Sequence, residues 1–262
     1  MEIKVLQGIL LPFLGTSLGA GCVFFLRGEI NRNLKRGMTG FAAGVMVSAS
    51  VWSLLIPSMN HAEGMGKLAF FPAVVGFLLG MGFLLLLDTV TPHIHINQNT
   101  AEGPASSLPR TAMLLFAVTL HNIPEGMAVG VVYAGWITGE VEITALAALA
   151  LALGIALQNF PEGAAVSVPL RREGWSRGKS FLVGQASALV EPVAGVIGAW
   201  LVLYVESMLP YALSFAAGAM ILVAVHELIP ECQKNQQEQP YFATMGIVLG
   251  FAAMMLLDVM LG

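Results

Sequence analysis

The chain has 262 residues, 56% of them hydrophobic and only 11% charged, with a mean hydropathy of +0.78. Soluble domains carry about 25% charged residues, so a water-facing surface is excluded for most of this chain and lipid is its solvent. A formal net charge of −4 excludes the clustered basic surface that a nucleic-acid partner needs.

About 20 apolar residues cross the hydrocarbon core of a bilayer. Eight such runs follow one another at 5–26, 38–59, 69–91, 111–136, 143–169, 179–205, 209–230 and 241–261. The fold class is therefore all-α, a polytopic membrane protein with eight transmembrane helices. The first run starts near Val5 without a basic segment or a small-residue cleavage site, and reads as a retained span rather than a signal peptide. Cys22 and Cys232 stand far apart with no CxxC spacing, which argues against a disulfide framework or a thiolate metal site. The third connection, from His93 to Arg110, is rich in turn-formers without periodicity and reads as a mobile loop. Its His93 and His95 are either a metal-catching pair or polar filler. Trp52, Trp136, Trp175 and Trp200 read as interface anchors or packing residues.

Basic residues orient the chain. Arg27, Arg32, Lys35, Arg36, Arg110, Arg171, Arg172, Arg177, Lys179 and Lys234 fall in or beside odd-numbered loops, and only Lys4 and Lys67 fall on the other side. Odd loops are expected in the cytoplasm and both termini outside.

The second and seventh spans share a stretch, Phe41-Ala-Ala-Gly-Val-Met against Phe215-Ala-Ala-Gly-Ala-Met, and each closes at a proline, Pro57 or Pro230. Gly76, Gly80 and Asp88 of the third span align with Gly246, Gly250 and Asp258 of the eighth at a constant offset of 170. HNIPEG at 121–126 matches QNFPEG at 158–163. Matched spans would run through the membrane in opposite directions, so helices 1–3 and 6–8 form an inverted repeat around a central 4–5 pair. Inverted repeats mark many secondary transporters, with sites near the midplane.

Ionisable residues inside a span are costly and point to function. Here they gather. Residues three or four apart share a helix face, so Glu125 can meet His121 and Asn122, and Glu162 can meet Gln158 and Asn159. Pro124 and Pro161 lack an N–H and free the carbonyls of Leu120 and Leu157. Glu191 precedes Pro192 in the sixth span, and His226 and Glu227 lie near the inner end of the seventh. Three carboxylates (Glu125, Glu162, Glu191) facing one another in low dielectric must be protonated or neutralised by cations. No Lys or Arg lies in the central spans, and one or two divalent cations fit the charge. Imidazole, carboxylate and amide oxygen suit Zn²⁺, Fe²⁺, Mn²⁺, Co²⁺ or Cd²⁺, not Cu(I). A lone His or Asn in a span is more often hydrogen-bonding glue, but glue does not need three carboxylates. Asp88 and Asp258, at span ends, are either caps or functional groups. Ser48 and Ser50 on the second span border the same region.

With HNIPEG, QNFPEG, Glu191-Pro192 and His226-Glu227-Leu-Ile-Pro in order, the chain resembles the ZIP family of divalent metal transporters, especially its bacterial GufA-like branch. The resemblance covers essentially the whole chain and implies one transporter domain over 1–262. It implies a binuclear mid-membrane site: His121, Glu125, Gln158 and Glu162 around one metal, and Asn122, Glu125, Asn159, Glu162 and Glu191 around the other. It makes His226 and Glu227 ligands on the exit side. It further implies uptake toward the cytoplasm across the cell (inner) membrane, Zn²⁺ first as substrate and possibly Cd²⁺, a homodimer, and alternating access in which spans 1, 4, 5 and 6 move against 2, 3, 7 and 8. Many relatives carry His where this chain has Gln158, which broadens the choice of metal. A passive metal-selective channel is the alternative. An enzyme is not expected, because a zinc hydrolase wants HExxH with an open water position and neither motif supplies the second His.

Overall fold

The computed structural model describes residues 3–26, 30–94, 102–139, 143–234 and 241–261. Arg27 and His95 lie outside them. Eight helical spans follow the expected order: α1 (Ile3–Phe24), α2 (Arg32–His61), α3 (Phe70–Val90), α4 (Arg110–Ile137), α5 (Ala145–Arg172), α6 (Arg177–Tyr204), α7 (Glu206–Gln233) and α8 (Tyr241–Leu261). In lipid each backbone polar group must be satisfied within its own segment, which makes helices of these apolar runs. Polar caps set several starts. Asn31 accepts from Asn33 N at 2.8 Å, Thr144 from Ala147 N at 3.0 Å and Ser176 from Lys179 N at 3.3 Å. The cap at Asn31 explains why α2 begins before its apolar run does: its first turn is polar but already helical. Outward faces such as Leu78, Leu79, Val248, Leu249 and Leu256 are exposed and apolar, as lipid-facing surfaces are.

The helices pack chiefly as four pairs: α1 with α5, α4 with α6, α2 with α8 and α3 with α7. Small residues let the backbones touch. A Cβ added to Gly80 would lie 1.9 Å from the carbonyl oxygen of Phe215, and one on Gly250 would lie 2.0 Å from that of Phe41. Gly44 against Ile247 is matched by Gly218 against Phe77, both at 2.0 Å. Gly126 of α4 meets Glu191 of α6 at 2.2 Å, and Gly163 of α5 meets Thr16 of α1 at 2.0 Å. Exchanging α1 with α6, α2 with α7, α3 with α8 and α4 with α5 thus turns each contact into another contact of the same fold. The inverted repeat is built into backbone packing, not only into sequence.

Interruptions of the helices fall beside the prolines. Helices α4 and α5 run unbroken through Pro124 and Pro161. In α2 and α7 the segments Ser50–Leu55 and Ala224–Leu228 widen into π-helix, each just before the next turn's proline, Pro57 or Pro230. A proline cannot donate to the preceding turn, and a π-turn is one way to absorb that; such turns are frequent at functional sites. Helix α6 breaks at 187–189, between Arg177–Ala186 and Val190–Tyr204. There the backbone tightens to three-residue bonds, Ala188 N to Gln185 O at 3.2 Å and Glu191 N to Ala188 O at 3.0 Å.

Candidate metal centre

The unbroken α4 and α5 hold His121, Asn122, Glu125, Gln158, Asn159 and Glu162 at fixed helical spacing. The break in α6 supplies the third wall. It exposes the carbonyl of Ser187, which accepts from Asn122 Nδ2 at 3.1 Å. It also places Glu191 in the first turn of the helix Val190–Tyr204, where the helix dipole favours a carboxylate. The contact of Gly126 with the Glu191 backbone brings this turn against Glu125. Glu162 and Glu191 are near enough for their charges to act on Glu125.

The amide side chains are oriented in one sense. Gln158 Nε2 donates to Glu125 Oε1 at 2.8 Å, and Asn159 Nδ2 donates to Glu191 Oε1 at 3.0 Å. Their nitrogens, and that of Asn122, are thereby tied up. Of the buried oxygens without a hydrogen-bond partner among the described residues, seven belong to this cluster: Asn122 Oδ1, Glu125 Oε2, Gln158 Oε1, Asn159 Oδ1, both oxygens of Glu162, and Glu191 Oε2. Leaving a buried acceptor unsatisfied costs about 1–3 kcal/mol, while a whole domain is stable by only about 5–15 kcal/mol. Seven such atoms call for electropositive partners. Oxygens of amides and carboxylates converging with an imidazole nearby are the donor set of a borderline divalent cation.

His121 and Glu227 form an ion pair beside the cluster, His121 Nε2 lying 2.6 Å from Glu227 Oε2. Both, with Glu162 and Glu231, line a cavity of about 60 Å³ between α2, α4, α5 and α7. That cavity shares Thr39, Pro161 and Ala165 with a second of about 260 Å³. The second shares Arg32, Lys35 and Thr39 with a third of about 280 Å³ that reaches Arg36 and Lys234. The vestibule thus runs to the basic end of the bundle. His226 is exposed, and the cavity wall includes Glu227 and not His226.

A second cluster was only half visible in the sequence. Asp88, His93 and Glu102 present three ligand atoms within 4.8 Å of one another. His93 is fully buried. Its Nδ1 lies 2.8 Å from Thr91 O, which turns Nε2 toward Asp88 Oδ1 at 2.9 Å. His93 and Glu102 exchange backbone hydrogen bonds at 3.1 and 2.8 Å. The described ends of the third loop are therefore pinned together; residues 95–101 of that loop, on which the expected mobility falls, lie outside the described residues. Asp88 serves His93, and its repeat mate Asp258 accepts from Ser53 Oγ at 2.8 and 3.0 Å. Neither is a mere helix cap. Among the described residues, this is the compact trio of His and acidic groups. The motif carboxylates of Glu125, Glu162 and Glu191 do not form a group as compact as this. Glu102 and Thr16 are the members that sequence reasoning missed. Nothing local marks either of them: Thr16 meets Glu191 from 175 residues away, and Glu102 sits in a loop that has no period.

An eight-helix membrane-type bundle with a buried oxygen-rich cluster between inverted halves defines the class. Residues 93–258 match the model of the ZIP Zinc transporter family. The chain is 41% identical to zinc transporter ZIPB of Bordetella bronchiseptica, over 95% of this chain and 79% of that protein. It is 37% identical to human zinc transporter ZIP11, over 94% of each chain. It is 34% identical to zinc transporter GufA of Myxococcus xanthus, over 95% of this chain and 96% of that one. The chain belongs to the ZIP family.

Proposed function

We propose that this protein is a carrier that moves divalent metal ions, Zn²⁺ foremost, across the cell membrane toward the cytoplasm. The carrying observation is the set of seven unpartnered buried oxygens between α4, α5 and α6. Two metals bridged by Glu125 and Glu162 would satisfy them. His121 and Gln158 would complete one position, and Asn122, Asn159 and Glu191 the other. Relatives named as zinc transporters favour Zn²⁺; Cd²⁺, Fe²⁺, Mn²⁺ and Co²⁺ share the donor preference closely enough to compete. The basic residues at the vestibule mouth support a cytoplasmic mouth by the positive-inside rule, with both termini outside. The His121–Glu227 pair then stands on the exit side, and metal leaving the centre exchanges with it. His226 joins this role only through a rearrangement that turns it inward. The repeat mates of the cavity residues His121, Glu162 and Glu227, namely Gln158, Glu125 and Ser53, are buried, which supports a carrier with alternating access over a passive channel. Relatives named as zinc transporters support a transporter rather than an enzyme. Assembly as a homodimer belongs to the same reading through the family resemblance.

The test is uptake into proteoliposomes. Glu125→Ala and Glu162→Ala each reduce Zn²⁺ uptake to the level of empty liposomes while eluting from size exclusion as the parent does. Undiminished uptake in both variants would overturn the proposal.

A further inference from the structure

The two central motifs are copies, but their neighbours are not. Gly126 ends HNIPEG and packs on the backbone of Glu191; Gly163 ends QNFPEG and packs on the backbone of Thr16. Thr16 on α1 therefore occupies, against α5, the position that Glu191 on α6 occupies against α4. One half of the repeat brings a carboxylate to the centre and the other brings a hydroxyl.

That hydroxyl is fully buried, and it donates to Glu191 Oε1 at 3.2 Å. A threonine in a helix commonly turns its hydroxyl back to the carbonyl four residues earlier. The next residue, Ser17, does this, bonding Phe13 O at 2.8 Å. Thr16 instead reaches across to the other half of the fold. Together with Asn159 Nδ2 at 3.0 Å, it gives Glu191 Oε1 two donors. Glu191 Oε2 is left without a hydrogen-bond partner among the described residues. A carboxylate held by one oxygen offers the other to a metal in a fixed direction, and partners of this kind commonly set affinity by about 10- to 100-fold.

We infer that Thr16 is a positioning residue of the metal centre: it fixes the Glu191 carboxylate so that its second oxygen faces the ion. A hydroxyl does this without adding a fourth negative charge. The inference rests on the reading of Glu191 as a metal ligand, and the experiment separates the two. Equilibrium Zn²⁺ binding to purified protein and Zn²⁺ uptake kinetics are measured for the parent, Thr16→Val, Thr16→Ala, Thr16→Ser, Glu191→Gln and the double variant Thr16→Val/Glu191→Gln. Valine keeps the shape and removes the donor. The expected result is a Zn²⁺ dissociation constant raised roughly tenfold in Thr16→Val, recovery to within about twofold in Thr16→Ser, and a rise in KM larger than the fall in maximal rate. In the Glu191→Gln background the valine adds less than about twofold, because the two residues act as one unit. Thr16→Ala gives the same answer if valine at this depth fails to fold. Parent-like binding by both donor-free variants, with weakened binding by Glu191→Gln, overturns the role of Thr16 alone. Parent-like binding by Glu191→Gln overturns the ligand role of Glu191 and this inference with it.

Discussion

At the scale of residues, the two copies of the motif differ where chemistry is most sensitive. His121 can offer a nitrogen, while Gln158 offers an amide oxygen and spends its nitrogen on Glu125. Imidazole favours Zn²⁺ over harder ions such as Mn²⁺, and an amide oxygen does not. Gln158→His should therefore sharpen the choice of metal. Competition of Mn²⁺ against Zn²⁺ uptake measures it: the variant is expected to discriminate against Mn²⁺ roughly tenfold more strongly, about 1.4 kcal/mol. An unchanged ratio would remove Gln158 from the set that touches metal. The proposed ligands on α4 and α5 could be grouped from the sequence because their relations are local. Residues three and four apart on one helix declare a shared face. The hydroxyl of Thr16 and the carbonyl of Ser187 were not legible, since each meets its partner only after α1 and α6 have docked. The trio of Asp88, His93 and Glu102 was legible at Asp88 and His93 singly but not as a group, because a loop gives no period from which Glu102 could be placed.

At the scale of elements, the spans were readable from hydropathy alone, because a bilayer demands length and apolarity together. The places where helices change were less so. Proline marks a missing donor but not how the chain absorbs it: Pro124 and Pro161 are held within regular helix, Pro57 and Pro230 are preceded by π-turns, and Pro192 follows an outright break in α6. Packing decides among these outcomes. Glycine spacing carried more than composition suggested, because the glycines shared by α3 and α8 sit on partner carbonyls. Helix α3 contains its own control. A Cβ on Gly80 would lie 1.9 Å from Phe215 O, whereas one on Gly82 would meet nothing within 4 Å. Gly80→Ala must push α3 away from α7, and overpacking of this kind costs about 1–3 kcal/mol. Gly82→Ala should be neutral, or stabilising by up to about 1 kcal/mol through helix propensity. Thermal unfolding in detergent reads both; equal midpoints for the two variants would contradict the close pairing of α3 with α7.

At the scale of the whole molecule, the proposed alternating access draws on the inverted repeat and the one-sided vestibule together. Two halves with the same sequence logic and opposite direction can exchange conformations, and such an exchange moves access from one side of the membrane to the other. The inner vestibule is lined by Ala42, Val118, His121, Glu162 and Glu227 among others. Their repeat mates are Ala216, Ile155, Gln158, Glu125 and Ser53, and all five are buried. The polar lining residues His121, Glu162 and Glu227 are partly exposed, whereas their mates Gln158, Glu125 and Ser53 are buried. If alternating access operates, opening the outer side requires these mates to take up the arrangement now held by the inner set. Single cysteines at 118 and 155, in a protein whose Cys22 and Cys232 have been replaced, follow the exchange. In right-side-out vesicles a membrane-impermeant thiol reagent is expected to reach Ile155→Cys and spare Val118→Cys; in inside-out vesicles the preference reverses. A condition that slows labelling at one position, such as saturating Zn²⁺ on one side, should speed it at the other, because one equilibrium governs both. Simultaneous labelling of both positions, unresponsive to Zn²⁺, would mean a path open from end to end and would replace the carrier by a channel.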